Sequence, residues 1–195
     1  MRGCELNYGS IFELLVAVIL SAQCTDKRVN SVTKELFKKY NKPEDFVNLS
    51  TEELEKLIFS CGFYKNKAKN IKKMSKDLIE KYNGEVPSTI EELMALSGVG
   101  RKTANVVLSE GFKKNAFAVD THVFRVSHRL SLSKAKTADK TEFDLKQVFD
   151  ENLWSEIHFY MVLFGRYICK SQRPKCEECK LKQYCQYYKE KKDVC

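Results

Sequence analysis

Cys169, Cys176, Cys179 and Cys185 fall within 17 consecutive residues, separated by six, two and five positions. Thiolates at such spacing can hold zinc or an iron–sulfur cluster. Structural zinc sites more often pair two short-spaced knuckles, and here only Cys176 and Cys179 are close. Cys4, Cys24, Cys61 and Cys195 are scattered, and their spacing assigns them no role. The flank Met1–Ser10 does not resemble a signal peptide, so the clustered thiols read as a metal or cluster site and not as a disulfide framework.

A second chemical centre is suggested around Lys102. Gly98 and Gly100 precede it, and glycine at both positions lets the backbone take positive φ and lets a bulky anion approach the amide N–H groups. The first turn of the helix beginning at Arg101 disfavours an ammonium and, with partial desolvation of the side chain, would favour the free amine that a nucleophile requires. Lys102 read in isolation is a solvated phosphate contact. Asp120 ends the apolar run Ala118-Val119 where another helix begins. It is a natural N-cap, and a capped carboxylate is also fixed and kept ionised, able to accept a proton or stabilise a developing cation.

Helices must hold these groups. Only three prolines and eight glycines punctuate 195 residues, and the segments between them repeat apolar positions every three or four residues. The sequence therefore predicts an all-α fold. Ser10 with Glu13, Ser50 with Glu53 and Ser88 with Glu91 read as capping boxes. They predict helices over 11–22 and 51–60 and a short helix ending at Leu96. Others are expected over 28–40, 65–82, 101–111, 121–131, 140–150 and 154–168. The apolar helix 11–22 is too short to span a bilayer, carries Glu13, and reads as a buried central helix.

The net charge of +8 suggests an anionic partner. Residues 65–76 carry six lysines and no acid, residues 101–140 nine bases against three acids, and residues 166–193 nine against four. Residues 44–55 hold five acids and no base. Each basic segment adjoins a motif, which favours a nucleic-acid surface.

Leu96-Ser97-Gly98-Val99-Gly100-Arg101-Lys102 resembles the helix-hairpin-helix DNA-binding motif, spanning about 91–111, with Ser97 at the usual proline. Taken with Val119-Asp120-Thr121-His122 and the four-cysteine loop, the chain from about Glu5 to Asp193 resembles the endonuclease III family of base-excision DNA glycosylases. The resemblance implies two helical lobes with a DNA cleft between them. A short segment over 1–10 would belong to the cluster lobe, with a hairpin domain over 11–118 and a C-terminal domain over 119–195 carrying the loop 169–185.

By that resemblance Lys102 is the Schiff-base nucleophile, Asp120 the essential carboxylate, and Cys169, Cys176, Cys179 and Cys185 hold a [4Fe-4S] cluster. DNA contacts would come from Gly98, Gly100, Arg101 and His122, and from Lys170, Arg173 and Lys175 on an arc between the first two ligands. Gln23 would insert into the vacated base stack, and Phe63 would act as an aromatic wedge where the family often has leucine. On residue type alone, Gln23 is a polar helix end, Phe63 a core aromatic and His122 structural.

The implied function is a bifunctional DNA glycosylase and abasic-site (AP) lyase of base excision repair. It would remove oxidised pyrimidines from damaged double-stranded DNA and cleave 3′ of the abasic site by β-elimination. A monomer is expected, in the cytoplasm with the nucleoid and without a membrane partner. Two alternatives are a monofunctional mismatch glycosylase, whose relatives generally lack the lysine, and a non-enzymatic DNA-binding or redox-sensing iron–sulfur module. Relatives usually carry a further helix ahead of Glu5; little precedes Glu5 here, so the cluster lobe is expected to be less stable or to expose apolar surface.

Overall fold

Short side chains set most of the helix starts. The computed structural model describes residues 5–192, with side chains through Glu190; Cys4 and Cys195 lie outside that range. Among the described residues all regular structure is helical. Ser10 accepts from the Glu13 amide to open α1 (Ile11–Ser21), while the Glu13 carboxylate accepts from the Gly9 amide. Thr25 caps α2 (Asp26–Leu36) by accepting from the Arg28 amide. The acidic segment, where no helix was expected ahead of residue 51, contains α3 (Pro43–Asn48), with proline at its start and Glu44 and Asp45 in its first turn. Ser50 and Glu53 form a full capping box for α4 (Thr51–Ile58), followed by a 3-10 turn over Phe59–Cys61.

The long helix α5 (Tyr64–Tyr82) ends in two left-handed residues, Asn83 and Gly84, whose amides both donate to the Leu78 carbonyl. The third expected capping box is shifted by one residue. Thr89, not Ser88, caps α6 (Ile90–Ala95), accepting from Glu92. The helix expected over 101–111 is α7 (Arg101–Val106) followed by a π-turn over Val107–Gly111.

The chain divides into two compact units, one running to Lys114 and the other starting at Asn115. In the first, α1 is central: Leu14, Leu15, Val16, Ala17 and Leu20 are fully buried. The π-turn packs closely on it, and a Cβ at Gly111 would lie 3.2 Å from Ile11 and Leu14. Residues 5–10, expected with the cluster lobe, belong instead to this unit. The Asn7 amide donates to Asn30 Oδ1 and Asn30 Nδ2 to the Glu5 carbonyl, both at 2.8 Å, tying the segment to α2.

The second unit holds α8 (Thr121–Arg129), α9 (Ala138–Val148), α10 (Trp154–Tyr167) and α11 (Gln186–Lys192), the last not foreseen from the sequence. Residues 115–118 were expected with the first domain. Phe117 packs into the second unit's core with Val119, Val123, Val126, Leu145 and Met161, and His158 Nδ1 lies 2.7 Å from the Ala118 carbonyl oxygen. Helices α8 and α10 approach so closely that a Cβ at Gly165 would lie 2.9 Å from His122 Cβ. No described helix is long and apolar enough to cross a membrane.

Candidate functional site

In the hairpin, Leu96 and Val99 are buried and the Val99 amide donates to the Leu96 carbonyl. Gly98 has φ +80, and a Cβ there would lie 2.8 Å from Asn70 Cβ on α5. Conformation and space both demand glycine. Gly100 differs from expectation: its φ is −90, and an added Cβ would meet nothing within 4 Å. It keeps the approach to the α7 amides open. Ser97, in place of the family's proline, ties the turn to α5 by donating from Oγ to Asn70 Oδ1 at 3.3 Å. Arg101 is half-buried and Lys102 exposed, in the first turn of α7. The partial desolvation expected of Lys102 is not found: its side chain is exposed.

Gln23 and Phe63 both stand in the left-handed region, with φ +53 and +47, and both are exposed. Few non-glycine residues adopt this conformation, and surroundings that over-determine it are needed to hold it. Phe63 is 66% exposed, so it is not a core aromatic. Lys67, counted from sequence in a basic segment read as a nucleic-acid surface, is only 5% exposed. Its Nζ donates to the carbonyls of Leu20 (2.8 Å), Ala22 (2.8 Å) and Cys61 (2.6 Å). Burial lowers its pKa from the ordinary lysine value, opposed by the neighbouring Cys24 and Cys61 sulfurs. Burial, reinforced by the adjacent Cys24, pushes the Cys61 thiol up to about 11. The sequence held a signal for Lys67: it lies in register with Ile71, Met74 and Leu78, the buried stripe of α5.

In the second unit, Asp120 caps α8, with Oδ1 accepting from the Val123 amide at 2.8 Å. It is half-buried. His122 is engaged with Arg125, whose Nη2 lies 3.2 Å from His122 Nδ1 and also donates to the Gly165 carbonyl. Lys102 and Asp120 belong to different units, and each is fixed by the local structure of its own.

Cys169, Cys176, Cys179 and Cys185 line one shared pocket, walled by Leu130, Phe164, Ile168 and Tyr187. Among the described residues no three His, Cys, Asp or Glu side chains gather as a site for a single metal ion. Four thiols around one shared pocket fit an iron–sulfur or other metal centre. Two arginines missed in the sequence brace this loop. Arg125 Nε donates to the Cys169 carbonyl at 3.0 Å. Arg129 Nη1 donates to Cys169 Sγ (3.3 Å) and the Lys170 carbonyl (2.7 Å), Nη2 donates to Ser171, and the guanidinium stacks on Tyr187. Lys170, Arg173 and Lys175 are exposed along the arc, closed where the Lys175 amide donates to the Ile168 carbonyl.

Residues 16–151 match the HhH-GPD superfamily of base excision DNA repair proteins. Endonuclease III from Bacillus subtilis is 53% identical over 183 residues, 93% of this chain and 84% of that protein. The fold superposes on a trapped endonuclease III–DNA covalent intermediate with a TM-score of 0.93 and 51% identity, covering 97% of this chain and 89% of that one. A non-covalent endonuclease III–DNA complex gives 0.92 at the same identity and coverage. The hairpin, the capped aspartate and the cysteine loop thus stand in a chain that belongs to the endonuclease III family of the HhH-GPD superfamily.

Proposed function

We propose that Lys102 is the nucleophile and Asp120 the assisting carboxylate of the reaction this family catalyses. The protein is a bifunctional DNA glycosylase and AP lyase of base excision repair. The observation that carries the assignment of Lys102 is its exposed amine at the start of α7, directly after the open approach at Gly100. That a 51% identical endonuclease III was trapped covalently on DNA supports it.

In the first step the neutral Lys102 amine attacks C1′ of an extruded nucleotide, the glycosidic bond breaks, and the base leaves with the bonding electrons and takes up a proton. Loss of a proton from nitrogen and opening of the sugar ring give an imine between Nζ and C1′. Removal of a C2′ proton then expels the 3′ phosphate, and water releases the lysine. Asp120, whose Oδ1 accepts from the Val123 amide, is the carboxylate that stabilises the developing positive charge. Gln23 and Phe63 fill the space left by the extruded nucleotide, and Gly98, Gly100, Arg101, His122, Lys170, Arg173 and Lys175 contact DNA. Oxidised or ring-saturated pyrimidines are the proposed substrates, on the family resemblance.

Cys169, Cys176, Cys179 and Cys185 would hold the [4Fe-4S] cluster expected of the family. Its contribution when bound is architectural, fixing the basic arc, since glycosidic cleavage involves no electron transfer. The alternative of a monofunctional mismatch glycosylase is disfavoured by the presence of Lys102.

Borohydride reduction on abasic-site DNA tests the assignment. Wild type should form a covalent adduct and Lys102→Ala none. An undiminished adduct in Lys102→Ala refutes the nucleophile.

A further inference from the structure

Two segments of the first unit carry the residues proposed to enter the base stack, and both end on one buried cation. Helix α1 stops at Ser21, so the carbonyls of Leu20 and Ala22 have no partner from a continuing helix. The Cys61 carbonyl ends the 3-10 turn, ahead of Gly62 (φ +62) and Phe63 (φ +47). The Lys67 ammonium has three N–H donors, and the three acceptors are these carbonyls. One acceptor immediately precedes Gln23, and another lies two residues before Phe63.

We infer that Lys67 is a positioning residue that straps the Gln23 and Phe63 loops together and holds both in the strained backbone needed for insertion into duplex DNA. The inference rests on the reading of Gln23 and Phe63 as inserting residues. Each tip adopts a left-handed conformation that an isolated loop would leave, and the helix that starts after Phe63 has no side-chain cap. The burial of Lys67 among Ala68, Ile71 and Met74 fixes the strap to α5, the element that also receives the hairpin through Asn70. The buried neighbour Cys61 offers no competing role: burial holds its proton, which leaves that thiol a poor nucleophile.

The test compares substrates that do and do not contain a stack to fill. Lys67→Met keeps the apolar stem and removes the three donors. With a lesion in duplex DNA, single-turnover base release should fall about ten- to a hundredfold, the range expected when positioned groups shift by an ångström or less. Borohydride trapping on a single-stranded abasic oligonucleotide should stay within about twofold of wild type, since Lys102 and its helix are untouched.

In a Gln23→Ala/Phe63→Ala background, Lys67→Met should cost nothing further on duplex. Equal losses on single-stranded and duplex substrates, full duplex activity, or additive losses in the triple variant each overturn the strap. Wild-type duplex activity in Gln23→Ala and Phe63→Ala would instead overturn the insertion reading, and the strap's role in turnover with it. If Lys67→Met does not fold, Lys67→Gln, which keeps an amide donor, is carried through the same comparison with the same outcomes.

Discussion

Substituting each hairpin glycine by alanine separates the demands of the fold from those of DNA. At Gly98 an alanine must adopt φ +80, a left-handed conformation that costs about 1–2 kcal/mol for a residue with a Cβ. Its Cβ would also lie 2.8 Å from Asn70 Cβ and 3.1 Å from Asn70 Nδ2. Asn70 must shift, straining the acceptor of the Ser97 hydrogen bond, which adds about 1 kcal/mol. The sum, about 2–3 kcal/mol, lowers the melting temperature by roughly 5–10 °C in a chain of this size.

At Gly100 the backbone is extended and open, so alanine fits and stabilises by up to about 1 kcal/mol through the unfolded state. The methyl group occupies the approach to the α7 amides, so DNA binding should weaken although the protein melts no lower. Thermal melts and fluorescence-anisotropy titrations of both variants with duplex DNA are the assay. A Gly98→Ala protein as stable as wild type would refute the packing account. A Gly100→Ala protein with reduced stability and unchanged affinity would refute the division of labour between the two glycines.

Other substitutions probe the second unit and the buried thiol. Asp120→Asn retains a competent N-cap, so it should melt with wild type while base release falls sharply; Asp120→Ala should lose activity and also about 1 kcal/mol of stability, read by urea titration. Arg129→Gln removes donors to Cys169 Sγ and to two loop carbonyls, together with the stacking on Tyr187. It should accelerate the chelator-driven loss of visible absorbance from protein carrying the proposed cluster, and an unchanged rate would count against the brace. The Cys61 thiol is raised from 9.0 to about 11, so the folded chain binds that proton more tightly than the unfolded chain. Its contribution to stability is full below pH 9 and is lost as pH rises towards 11. Wild type should lose stability relative to Cys61→Val across that window, and parallel urea curves would contradict the burial of the thiol.

The helical fold was legible because apolar spacing and hydroxyl caps act locally. Ser10 and Ser50 start helices where expected, and the apolar run after Ser10 is the buried central helix. Thr89 displaced Ser88 because both are good caps one residue apart, and pattern alone does not choose the register. Helix α3 was hidden by its acids, which suit a first turn as well as they suit a loop. The site was legible as motifs, since two glycines, a lysine, an aspartate and four cysteines announce their chemistry by type and spacing. The residues holding those motifs were not. Lys67, Arg125 and Arg129 act on backbone carbonyls, and every residue supplies a carbonyl, so no spacing marks the acceptor. Asn70 was equally silent: it meets Ser97 and Gly98 from 27 and 28 positions away in the sequence.

Lys72 shares a property with Lys67 that bears on how the protein responds to salt. Its Nζ donates to the carbonyls of Val47 and Leu49 at the end of α3. An ammonium committed to backbone oxygens does not sit on a phosphate, and therefore displaces no condensed sodium or potassium from DNA. Each true phosphate contact steepens the dependence of log affinity on log salt by roughly 0.9. Of the six lysines in residues 65–76, two are thus occupied within the first unit, and at most four can enter that slope. Ionic strength titrates fewer charges in this segment than its composition declares.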